Sequence, residues 1–134
     1  MAITILSDFD GVWTDQGPEA SHIVRFAAHE IARCAVLDPE ATHQRFEELA
    51  AETLREPTRY GWAPQGRISA FVDEDPLLAT NSVLHLIEGD PREELRAWKS
   101  ALLREGFANL GEFANHCFNT SSKAFRQSHP PIMV

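Results

Sequence analysis

The stretch from Ile3 to Asp15 reads "ITILSDFDGVWTD", an apolar run that ends in two aspartates, a glycine and a threonine. Ile3, Thr4, Ile5 and Leu6 read as a short strand buried on both faces, the kind found inside a parallel sheet. Asp8 and Asp10 then stand one residue apart with Gly11 directly behind them. Two carboxylates held that close repel, and a divalent cation compensates. Magnesium takes one or two carboxylates together with phosphate and water. A glycine turn with free backbone N–H groups can cradle a phosphate. A carboxylate there can attack phosphorus while its neighbour moves protons. The stretch therefore reads as phosphoryl-transfer machinery at the carboxyl end of a strand, where open α/β sheets hold their ligands. A calcium loop does not fit, because its glycine follows three acids at alternate positions and a helix precedes it.

The rest of the composition narrows the setting. With 134 residues, 43% of them hydrophobic, the chain suits one domain. Its net charge of −8 offers a phosphate backbone no basic face, so no nucleic-acid partner is expected. No run approaches the ~20 apolar residues that span a bilayer, so no membrane partner is expected either. The N-terminus lacks the basic lead and long apolar core of a signal peptide. Cys34 and Cys117 lie far apart without a C-x-x-C spacing and read as reduced, buried thiols. Together these point to a cytoplasmic protein.

Beyond the opening strand the pattern is helical. In "SHIVRFAAHEIARCAVL", Ile23, Phe26, Ala27, Ile31, Cys34 and Ala35 recur at helical spacing, with His22, Arg25, His29 and Arg33 on a solvated face. Asp38-Pro39, Asp75-Pro76 and Asp90-Pro91 each pair a capping carboxylate with a proline at the first helical position. Glu93 adds a capping-box partner to the third. The helices they start run from Pro39 to about Glu56, with Phe46, Leu49, Thr53 and Leu54 inward, and from Pro76 to about Glu88. The third carries Leu95, Trp98 and Leu102 and stops at Gly106. A last stripe carries Leu110, Phe113, Ala114, Cys117 and Phe125. "TRYGWAPQGRISAFV" reads as loop, with Ile68 to Val72 as a short strand. Trp62 and Trp98 read as packing residues, and Asp73-Glu74-Asp75 as a solvated loop.

"DFDGVWTD" resembles the first motif of the haloacid dehalogenase (HAD) superfamily of hydrolases, a hydrophobic strand followed by D-x-D-G-[VT]-x-[TS]; the phosphatases of that superfamily are the nearer likeness. The resemblance implies an α/β HAD-like fold, represented here by one N-terminal strand and about five helices, so that the chain itself is mostly α-helical. It implies Asp8 as nucleophile and metal ligand, and Asp10 as general acid and base with a carbonyl on the metal. It further implies Phe9, Gly11 and Asp10 backbone N–H groups facing the phosphate, Thr14 supporting the loop, and Mg²⁺ as cofactor. Trp13 stands where the family has an aliphatic residue. Residues 1–16 would be the first strand and catalytic loop, 17–126 a helical cap that closes over the site, and 127–134 a segment re-entering the core, where the chain reads as truncated.

The expected activity is hydrolysis of a small phosphorylated metabolite through an aspartyl-phosphate, with this chain alone incomplete and inactive. The family also needs a strand-end Ser or Thr, a phosphoryl-binding Lys and a late acidic pair. Lys99 and Lys123, the only lysines, fall within helical patterns. "LLATN" around Thr80 and "LIEGD" ending at Asp90 imitate two of those motifs within one helical segment. A haloacid dehalogenase leaves Asp10 without a role. The alternative from another class is a non-enzymatic helical binding domain that retains the motif. With at most Ile68 to Val72 to pair with, a strand from Ile3 to Leu6 would expose its edges, so a homodimer through that strand is the first expectation, with packing against the helices or disorder of the segment as the alternatives.

Overall fold

The computed structural model describes residues 16–63 and 68–124. The expected strand Ile3 to Leu6, the aspartate loop, Phe125 and the segment 127–134 lie outside the described residues. Those residues form a mostly helical unit with one two-stranded sheet. In order they are α1 (Gln16–Ala35), α2 (Pro39–Leu54), β1 (Gly61–Trp62), β2 (Ala70–Phe71), a 3-10 turn (Pro76–Leu78), α3 (Ala79–Gly89), α4 (Glu93–Arg104), α5 (Leu110–Cys117) and a wide π-type turn (Phe118–Ser122).

Helix α1 is the hub. Glu19, Ala20, Ile23, Val24, Ala27, Ala28, Ile31 and Ala32 are all buried. At 3.6 residues per turn these positions sweep about 220° of the helix surface. That is wider than the stripe expected from Ile23, Phe26, Ala27, Ile31, Cys34 and Ala35, and the difference is carried by Ala28 and Ala32. Phe26 and Cys34 pack at the edge of the core. Two adjacent alanines at the centre let neighbouring helices approach closely, and α1 meets α2, α3, α4, α5 and both short turns. His22, Arg25, His29 and Arg33 face away from the buried arc, with Arg25 and His29 near Glu40 and Arg33 on Glu30 and Glu105.

The helix ends follow local chemistry. Asp38 caps α2, its carboxylate accepting from the Ala41 N–H at 2.8 Å with Pro39 at the first position. Asp75 does the same for the 3-10 turn through Leu77. Asp90 differs from its expected role. It closes α3 as the C-cap, and α4 starts at Glu93 with Arg92 before it. The reason is a competing partner: the Asp90 carboxylate takes the Arg92 backbone N–H at 2.9 Å and its guanidinium at 2.8 and 2.9 Å. The same guanidinium grips Glu52 of α2 at 2.8 and 3.2 Å. Arg92 holds the Asp90 carboxyl below the usual carboxylate range. The fork ties α2 to the α3–α4 corner. Leu54, expected inward, is 54% exposed because α2 ends there and the chain turns away.

Both cysteines are free, Cys117 buried and Cys34 half-buried, and burial pushes both thiols above their ordinary value. Trp98 is buried as expected, whereas Trp62 is 44% exposed and is not a core residue. No described helix is long and apolar enough to cross a membrane.

One junction is strained. Helix α1 ends with Val36 at φ 57°, and the Leu37 N–H returns to the Ala32 carbonyl at 2.8 Å. This is the helix stop that glycine normally provides, made here by a β-branched residue. Val36 is 88% exposed, so it gains no packing in return. Val36→Gly is expected to raise stability by about 1 kcal/mol in chemical denaturation, because the left-handed penalty disappears. A loss of stability would contradict the left-handed stop.

Candidate functional site

The residues singled out for catalysis and metal binding, Asp8 and Asp10, and those for phosphate, Phe9, Gly11 and Thr14, lie outside the described residues. What the structure describes is the scaffold that begins directly behind them. Helix α1 starts at Gln16. Its first turns adjoin the far end of the helical unit, where the Ser121 hydroxyl donates to the His22 carbonyl at 3.4 Å. Glu19, one turn into α1, is 1% exposed.

The two motif imitations do not converge. Thr80 and Asp90 sit at opposite ends of α3, and ten residues of helix separate them by about 15 Å. Thr80 is buried and Asp90 is held by Arg92. Lys99 is committed to Glu88, 3.2 Å from its carboxylate and 3.3 Å from its carbonyl. Lys123 is exposed just beyond the wide turn. Among the described residues no three His, Cys, Asp or Glu side chains gather as a metal site. The magnesium reading therefore rests on Asp8 and Asp10.

The described residues do form a cleft of about 530 Å³, between α3, α5 and the hairpin. Asn81, His85 and Glu88 line it from α3. Their spacing of four and three residues puts them on one helical face. That polar stripe inside "ATNSVLHLIEG" is the sequence signal that could have found the site. From α5 come Leu110, Ala114 and Asn115. Helix α5 is fixed by Asn109, whose side chain accepts from the Glu112 N–H at 2.8 Å, while the Glu112 carboxylate reaches back to the Ala108 N–H at 3.4 Å. This N-x-x-E box was also legible and was missed.

Trp62 lines the cleft from β1. Its strand pairs antiparallel with β2, Gly61 opposite Phe71 and Trp62 opposite Ala70. The expected strand over Ile68 to Val72 is thus real at its centre, and its partner is Gly61–Trp62, which had read as loop. The pairing is tight: a Cβ on Gly61 would collide with the Ala70 carbonyl oxygen and lie 2.9 Å from Phe71 Cα.

His85 is partly enclosed, with the Tyr60 ring edge-on at 5.9 Å. Its Nδ1 is buried without a partner among the described residues. Burial lowers its pKa, with Glu88 pulling weakly the other way, so the ring is neutral at physiological pH and offers one donor and one acceptor. A second, shallower cleft joins Arg96, Lys99 and Ser100 to Glu88 and Asp90 at the C-terminal end of α3. Two carboxylates and the negative end of a helix dipole make it a poor anion site.

No protein-family model, curated protein or solved structure matches this chain.

Gly61→Ala is expected to open the hairpin, at a cost of about 1–3 kcal/mol for the forced overlap. Hydrogen exchange should then quicken at the amides of Ser69 and Val72, which bond Trp62 and Tyr60 carbonyls across the pair. Unchanged protection there would contradict the close approach.

Proposed function

We propose that the chain carries the nucleophile loop and helical cap of a HAD-type hydrolase, a Mg²⁺-dependent phosphatase of a small phosphorylated metabolite. Asp8 is the nucleophile that forms the aspartyl-phosphate, Asp10 its acid–base partner, and both hold the metal. Phe9, Gly11 and Thr14 shape the phosphate loop. The observation that carries this reading is the ordered run Asp8-x-Asp10-Gly11-Val12-x-Thr14-Asp15 behind an apolar strand. Two further features support it. A helical unit follows the motif at once, and its two ends meet at His22 and Ser121, as an insertion into another domain requires. With Lys99 tied to Glu88, turnover by these residues alone is slow.

A covalent mimic tests the reading without needing turnover. Beryllium fluoride with Mg²⁺ should give a bound fluorine resonance on the wild-type chain that vanishes in Asp8→Asn. A resonance that persists in Asp8→Asn, or none in the wild type, would overturn Asp8 as the nucleophile. A homodimer through Ile3 to Leu6 belongs to the same reading, and a monodisperse monomer by light scattering at all concentrations would remove it.

The second reading, a non-enzymatic binding module, is favoured by the cleft itself, whose described lining comes from the helical unit and its hairpin.

A further inference from the structure

We infer that the cleft between α3, α5 and β1 binds a flat, uncharged, amino-substituted heterocycle of the nucleobase or nucleoside class. Its volume of about 530 Å³ falls in the range of small-molecule sites. The inference stands on the described residues and does not depend on the phosphatase reading.

The lining decides the chemistry. Leu84, Leu110 and Ala114 provide an apolar floor, and the polar groups stand around it. A ring with apolar faces and polar edges matches that arrangement. A polyol, polar on every side, would leave hydroxyls against the leucines unpaired. Among the described residues no Lys or Arg lines the cleft, and two carboxylates, Glu88 and Glu112, do. The described lining therefore offers a phosphate or carboxylate ligand no cationic partner. A free cation is not the better match, because Lys99 already neutralises Glu88 at 3.2 Å.

The individual groups fit the edges of a base. The side chains of Asn81 and Asn115 make no hydrogen bond within the described residues, so each amide keeps a donor and an acceptor for a ligand. A side-chain amide pairs with the adjacent donor and acceptor of an aminopurine, and a carboxylate accepts from an exocyclic amine. Neutral His85 adds a further edge-directed group. Trp62 is the platform. It is 44% exposed, yet Gly61 brings its strand so close to β2 that a Cβ there would collide with the Ala70 carbonyl oxygen. An exposed indole on a strand held against its neighbour is suited to stacking on a base.

The experiment titrates the full chain with adenosine, cytidine and uridine, and with methyl glucoside and spermidine as competitors of other classes. Ligand-observed NMR and tryptophan fluorescence read binding. At least one nucleoside is expected to bind in the micromolar to millimolar range. Affinity should fall about tenfold in Trp62→Ala and in the double variant Asn81→Ala, Asn115→Ala. Trp62 and Asn115 are exposed, so their truncation leaves the core whole, and circular dichroism melting confirms it. No nucleoside binding at millimolar concentration overturns the inference. So does nucleoside binding that survives Trp62→Ala, and so does preferential binding of the glucoside or the polyamine.

Discussion

The burial of α1 is the constraint on which the other elements depend. Its paired small and branched residues, Ile23 with Val24, Ala27 with Ala28 and Ile31 with Ala32, leave only the face of His22, Arg25, His29 and Arg33 for solvent. A helix enclosed to that degree cannot be an appendage. Every described helix and both short turns pack on it, and large residues from those elements fill its surroundings: Phe46, Leu49, Leu95, Trp98, Leu102 and Phe113 are each at most 3% exposed. The Arg92 fork and the Asp38 cap then orient α2 and α4 around that hub. Removing a fully buried side chain such as Ile31 would cost about 2–5 kcal/mol in such a core.

Much of this is legible in the sequence. Helix existence followed from periodicity and from the Asp-Pro starts, because a capping carboxylate and a proline act through neighbouring backbone alone. The Asp90 start failed because Arg92, two residues on, takes that carboxylate while its guanidinium also donates to Glu52, forty residues earlier in the chain. That long-range partner leaves no periodic trace. The width of the α1 face failed for a related reason. Alanines at positions 28 and 32 carry little hydrophobicity of their own, and only packing from several sides marks them as core. The hairpin was half read, since two-residue strands fall below what alternation can signal. Trp62 was assigned to packing by its type, and the structure places it at the lip of a cleft.

The candidate chemistry divides in the same way. The aspartate motif is a local pattern and is fully legible in sequence. The cleft is not, because Asn81, His85 and Glu88 come together with Asn115 and Trp62 only through the packing of α3 on α5 and β1. In the proposed reading the acid motif serves a phosphoryl group with its metal, and the cleft, which has no cation among its described lining residues, serves an uncharged ring. A phosphatase cap and a binding module both need the second, and only a phosphatase needs the first.

Native-state hydrogen exchange tests the central place of α1 most directly. If the helix is the hub, the amides from Ile23 to Ile31 exchange only by global unfolding, with the same free energy as those from Val83 to Ile87 in α3. Exchange of α1 through a cheaper opening, with α3 still protected, would contradict the account.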